Sequence, residues 1–326
     1  MTAQWQKELR LRPDGEQHVL SLLGAARVSA ESLGKLDGDE IHLWLKQSPG
    51  GQTIATGTGG RVPPSANNLA PDRLLALRGV EIDSPRLSGQ TERFEVWFAH
   101  EAAASAPGDP VAAAARPGPG LSVDAEGAAG KYNIRGDLFR VLVSLAGKSV
   151  QLRDVTLEGN ARIVETQTAE PGAIPLDVAG DVVHVTGADS PGAKALVAGR
   201  PAVLSGRGYA MRGASVHLDR AANRAWVPGR GQLTLPMQNG KFGAPAGPAQ
   251  PAVVAWTESL QFDGQTIALR GDVTAQTPLQ RLAAGAVDVG LARRIDFAQP
   301  PAADAVAVAT VKLHGQVQVE NQTVAQ

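Results

Sequence analysis

The chain has no cysteine. That excludes a disulfide scaffold, a zinc–thiolate site and thiol catalysis, and it suits an oxidising compartment. Aromatic residues make up only 4% of the 326 residues. With Ala, Val, Leu and Gly abundant, the interior has to be built from small and medium side chains. No basic block is present, and 31 Lys and Arg against 32 Asp and Glu leave a net charge of −1. Nucleic acid is therefore not an expected partner. No wholly apolar run is longer than Val111–Ala115, far short of the roughly 20 residues of a membrane-spanning helix. Met1-Thr-Ala-Gln-Trp-Gln-Lys-Glu enters a strand-like pattern directly, so the sequence reads as an excised piece, or as one whose targeting segment has been removed.

Catalytic motifs are missing too. There is no Gly-x-Ser-x-Gly elbow, no His-Glu-x-x-His pair and no P-loop. Carboxylates are scattered singly, and Asp37-Gly-Asp39-Glu40 lacks the alternating-oxygen spacing of a calcium loop. It reads as a solvated turn. The expectation is a protein that is not an enzyme and needs no metal or cofactor.

What the chain has is alternation. In Gln151–Leu235, Val155, Leu157, Ala161 and Ile163 alternate with Thr156, Glu158, Asn160 and Arg162. This is the two-residue period of a half-buried strand. Val183/Val185, Val216/Leu218 and Leu233/Leu235 repeat it, with glycine steps between the pieces. The phrase also recurs along the chain. Gly24-Ala-Ala-Arg-Val28 matches Gly159-Asn-Ala-Arg-Ile163, and Gly38-Asp-Glu-Ile-His-Leu43 matches Gly180-Asp-Val-Val-His-Val185. Looser copies begin at Leu77, Leu269, Gly285 and Leu313. The unit reads as a glycine opening one short strand and a second glycine opening the next. Such units must stack to bury their apolar faces.

At these residues the chain resembles the OstA-like, or LptA-like, periplasmic lipopolysaccharide-transport proteins. The likeness rests on Val155-Thr-Leu-Glu-Gly-Asn-Ala-Arg-Ile163, Val178-Ala-Gly-Asp-Val-Val-His-Val185, Ala195-Leu-Val-Ala-Gly-Arg-Pro-Ala202 and Leu218-Asp-Arg-Ala-Ala-Asn-Arg-Ala-Trp226. It is good over 151–235 and fair over 5–98 and 253–319. The chain is longer than a simple member, and long polar or Pro-rich inserts interrupt its units. The resemblance implies an all-β, elongated, open β-jellyroll of stacked antiparallel repeats in the periplasm or cell envelope. It implies a cradle for lipopolysaccharide or a similar lipid, and head-to-tail self-association or contact with other envelope transport components.

Parity names the apolar face on which such a lipid would lie. Its candidates are Val155, Leu157, Ile163, Val183, Val185, Leu204, Val216, Leu218, Leu233, Leu260, Phe262 and Leu269. Two other functions stay open: a structural spacer with a filled β core, and a carbohydrate-active parallel β-helix enzyme.

Composition divides the chain into β units at 1–101, 131–235 and 253–326. An Ala/Pro/Gly-rich linker at 102–130 and a Pro/Gly-rich spacer at 236–252 separate them. Ser48–Asp72 reads as a loop. Leu74–Val80 and Pro278–Ala286 have helical composition, but their place in the repeat favours strand. Val306–Val319 reads as a closing pair of strands. Trp5–Leu11 and Val311–Val319 are the expected sheet edges, the first guarded by Lys7, Glu8 and Arg10. His42, His184 and His217 sit between apolar neighbours and read as outward polar positions; the alternative is that stacking brings them into a ladder able to hold a metal. Trp44, Trp97, Trp226 and Trp256 read as core or edge plugs, or as the lining of a trough mouth.

Overall fold

The computed structural model describes residues 2–30, 34–47, 69–100, 131–146, 149–168, 172, 174–206, 208–238, 241–242, 250–277, 280–297 and 308–321. Alternation becomes strand throughout, and no helix occurs among the described residues. The strands are β1 (Thr2–Gln4), β2 (Glu8–Asp14), β3 (Gln17–Ala30), β4 (Gly34–Gln47), β5 (Leu69–Asp83), β6 (Leu87–His100) and β7 (Lys131–Ala146). β8 (Ser149–Gln167), β9 (Asp177–Thr186), β10 (Lys194–Gly206), β11 (Tyr209–Asp219), β12 (Arg224–Pro228), β13 (Gly231–Gln238) and β14 (Lys241–Phe242) follow. The last are β15 (Gln250–Trp256), β16 (Ser259–Phe262), β17 (Thr266–Gln276), β18 (Gln280–Leu291), β19 (Val308–His314) and β20 (Gln318–Asn321). All belong to one 20-stranded sheet.

From β2 to β12 each strand pairs with the next in the chain; further on β13 pairs with β15, β15 and β16 both pair with β17, and β17 pairs with β18, so the sheet is mainly an antiparallel meander. The exception is β6, which pairs with β7 in parallel from Leu87↔Tyr132 to His100↔Leu145. The result is an all-β, elongated, jellyroll-like molecule. A parallel β-helix is overturned, because its coils would pair in parallel throughout.

The glycine steps at Gly24, Gly38, Gly79, Gly159, Gly180, Gly271 and Gly285 lie inside strands rather than opening them, whereas Gly315 stands between β19 and β20. β3 slips register between Leu23 and Ala26, β4 between Asp37 and Glu40, β5 between Leu77 and Val80, β8 between Glu158 and Ala161, and β17 between Arg270 and Val273. At several of these points two successive residues take positive φ. Gly24/Ala25 (80° and 44°), Gly159/Asn160 (75° and 50°) and Gly271/Asp272 (78° and 42°) are such pairs. A bulge of this kind bends a strand sharply, and because the bulges line up across the sheet they form a crease. Matching phrases therefore occupy matching places. After Gly24 and Gly159, Ala26 and Ala161 are each 1% exposed, and Arg27 and Arg162 point outward to Asp37 and Asp177.

The crease corrects other details. Asp37-Gly-Asp39-Glu40 is mid-strand rather than a turn, with Asp37 paired to Arg27 and Asp39 and Glu40 to Arg78. β19 and β20 do not pair with each other. They pair with the two halves of β18 and so form one bent edge. Leu69–Asp72, read as the end of a loop, belong to β5. Leu74–Val80 lies in β5, and the described part of the other stretch of helical composition, from Gln280, lies in β18; pairing on both sides overrides local propensity.

The linker at 102–130 lies outside the described residues, and so does most of the Ser48–Asp72 loop. The sheet itself has no gap at either compositional boundary. β6 meets β7 directly, and β13 pairs with β15 through Pro236↔Pro251.

Candidate functional site

Three rows of side chains run along one face of the sheet. The first, beside the crease, passes through Leu9, Leu22, Ile41, Ala76, Phe94, Phe139, Leu157, Val183, Val197 and Val216. It resumes at Val227 and continues through Leu260, Leu269, Val287 and Leu313. The second, two residues further from the crease, passes through Leu11, Leu20, Leu43, Leu74, Val96, Val141, Val155, Val185, Ala195 and Leu218. It continues through Ala225, Phe262, Ile267, Val289 and Val311. On the other side of the crease a third row includes Val28, Leu36, Ile82, Ile134, Ile163, Val178, Leu204, Met211, Leu233 and Val254.

The crease turns the third row onto the first. Leu157, Val183 and Val216 share one apolar cluster with Ile134, Val178 and Leu233. Row one is packed: Leu157 is 1% exposed, Leu260 2% and Leu269 3%. Row two is different. From Leu20 to Val289 its members are half-buried, apart from the buried Val141. The inner face is thus filled along the crease and only half covered along its outer margin, which leaves a continuous apolar strip partly exposed there.

All twelve parity candidates fall on these rows. Leu157, Val183, Val216, Leu260 and Leu269 are in the packed first row, and Val155, Val185, Leu218 and Phe262 in the half-covered second. Ile163, Leu204 and Leu233 are in the third. Parity placed all twelve on one face of the sheet, but it could not rank depth. Six candidates are core, the five of row one and Leu233, and the four of row two line the margin.

The outer face carries polar ladders. His42, His184 and His217 do occupy one cross-strand row, which also contains Ser21, Leu75, Glu95, Arg140, Thr156, Leu196 and Trp226. They are spaced apart. His42 Nδ1 is 2.8 Å from Ser21 Oγ, and the His217 ring stacks on Trp226 with centroids 4.7 Å apart. Burial lowers the His217 pKa. Among the described residues no group of three or more His, Cys, Asp or Glu could hold a metal.

Only Trp256 is a core plug, at 1% exposure. Trp44 and Trp97 stand on the outer face and sandwich the Arg73 guanidinium at 5.0 and 4.5 Å. Beneath them Glu95, 2% exposed, accepts hydrogen bonds from Arg93 Nε (2.6 Å), Arg140 Nε (3.2 Å) and Trp97 Nε1 (3.2 Å). Desolvation pushes the Glu95 pKa up, but these donors outweigh it and hold the carboxyl below its ordinary range. Sequence reasoning missed this cluster. Its partners come from three strands, and an alternating glutamate reads only as an outward polar residue.

No model of a known protein family matches the chain, and no curated protein matches it.

Proposed function

We propose that this chain is a non-enzymatic lipid-binding protein of the cell envelope, periplasmic in location. It holds the acyl chains of lipopolysaccharide or a similar lipid along this apolar strip, which serves as a trough for them, and carries or bridges that lipid between partners. The observation behind this reading is the half-covered second row, which extends apolar surface from Leu20 to Val289 without a polar interruption. Each methylene laid on such a surface contributes about 0.8 kcal/mol. The identity of the lipid rests on the resemblance at Val155–Ile163.

A filled-core spacer is the second reading, favoured by the packing of row one. One titration separates the two. Val155 and Thr156 are adjacent in β8 and point to opposite faces. A fluorescent fatty acid, and lipopolysaccharide itself, should bind saturably to the parent chain and to Thr156→Asp, and at least about tenfold more weakly to Val155→Asp. Absence of saturable binding to the parent would leave the spacer reading.

A further inference from the structure

A concavity lies on the outer face against the crease, away from the apolar strip. There the cross-strand row runs Val203, Arg212, Gln232, Ala255, Thr274. Ala255 and Thr274 are too short to fill the outer surface, and a basin of about 580 Å³ is left over them. Its floor is rigid and largely apolar. A Cβ on Gly231 would run into the Trp256 ring, and one on Gly213 into Val227. The ring is itself fixed, because Trp256 Nε1 donates to the Gly229 carbonyl at 3.0 Å.

Three arginines from three places in the sheet line this basin: Arg200 in β10, Arg212 in β11 and Arg230 between β12 and β13. All three are exposed, and none has an ion-pair or hydrogen-bond partner among the described residues. Asp272 is the one carboxylate of the lining, so the basin carries a formal charge of +2. Elsewhere along the crease the balance is different. The groove at Arg27, Lys35 and Arg135 is matched by Asp37, Glu81 and Asp83, and the groove at Arg135 and Arg162 is outnumbered by Glu81, Glu92 and Asp137. Arginines there are spent on cross-strand pairs such as Arg27–Asp37 and Arg162–Asp177.

Three guanidinium forks around one basin suit an anion that offers several oxygens to separate donors. A carboxylate has two oxygens and one charge. A phosphate monoester has three oxygens and about −1.5 to −2 charges at neutral pH, which matches both the number of forks and the formal +2. We propose that this basin binds a phosphate monoester group, on a soluble metabolite or on a lipid headgroup, independently of the apolar trough.

The test uses the full chain and two probes. Glycerol 3-phosphate is titrated by calorimetry, and binding to phosphatidylcholine vesicles is compared with and without phosphatidic acid. The variants are the triple Arg200→Gln, Arg212→Gln, Arg230→Gln and a charge-matched control, Arg12→Gln, Arg135→Gln, Arg281→Gln, made at exposed positions away from the basin. The parent and the control should bind alike, and the basin triple should lose about tenfold or more. Binding of soluble glycerol 3-phosphate identifies the group itself as the ligand. Binding only to phosphatidic acid vesicles assigns it to a headgroup at a surface. Failure of both probes, undiminished binding by the basin triple, or equal loss in the control would overturn the proposal. Fluorescent fatty acid binding should be the same in the parent and the basin triple, which keeps this result separate from that of the trough.

Discussion

The rings of Phe94 and Phe139 stack across the one parallel pairing among the described strands, with centroids 5.2 Å apart and planes within 15°. Phe94 packs both against the smaller apolar cluster of Leu22, Ile41, Ala76 and Val80 and against the larger one that contains Phe139. It therefore ties the two parts of the core together. Phe139 is 5% exposed, so Phe139→Ala should cost about 3–5 kcal/mol and Phe139→Leu no more than about 1.5 kcal/mol. Urea denaturation measures both. A small loss for Phe139→Ala would mean that the seam is not packed.

The Glu95 carboxyl links stability to pH. Its folded pKa lies below that of an unfolded glutamate, about 4.3. The stabilisation is therefore complete above that range and is lost as pH falls through the depressed folded value. Glu95→Gln should lower stability at pH 7 by about 2 kcal/mol, the scale of charge-assisted hydrogen bonds to a buried group. The deficit should shrink below about pH 4. Thermal unfolding of both proteins from pH 7 to pH 3 checks this. A deficit constant across that range would refute the ion cluster.

Two glycines near the crease should respond differently to alanine. At Gly231 the new methyl meets the immobile Trp256 ring and lies 2.8 Å from the Arg212 carbonyl oxygen, so Gly231→Ala should cost about 1–3 kcal/mol. Gly229 has φ +72° and open space around it, so Gly229→Ala carries backbone strain alone, about 1–2 kcal/mol. The near-ultraviolet circular dichroism of Trp256 discriminates further. It should change in Gly231→Ala and stay as in the parent in Gly229→Ala.

The edges predict association. The exposed large apolar residues include Leu9 (44%) and Leu11 (61%) on β2, and Val311 (52%) and Val319 (60%) on β19 and β20. These are the ends of the apolar rows, without a neighbouring strand on their outer side among the described residues. Head-to-tail pairing would continue the rows from one copy into the next. Sedimentation velocity over a wide concentration range should show weak self-association, abolished by Val311→Lys with Val319→Lys. A strictly monomeric parent, or association unchanged by the lysines, would count against these edges as the joint.

The sequence alone determined the class of structure and the face of each strand. Parity is a property of the backbone, so Val155, Leu157 and Ile163 were legible as one side and Thr156 and Arg162 as the other before any contact was known. The repeat was equally legible, because Gly24-Ala25 and Gly159-Asn160 mark the same place in the molecule. What those glycines do was not. A glycine between alternating runs reads equally as a turn or as a bulge, and only pairing of both flanks with one partner strand decides for the bulge. That choice folds the sheet along its crease, which buries Leu157 and leaves Val155 half covered although their local sequence is alike. The Glu95 cluster and the Arg200, Arg212 and Arg230 basin were hidden for the same reason. Their members are far apart in the chain and meet only through the register of long strands, which local sequence does not carry.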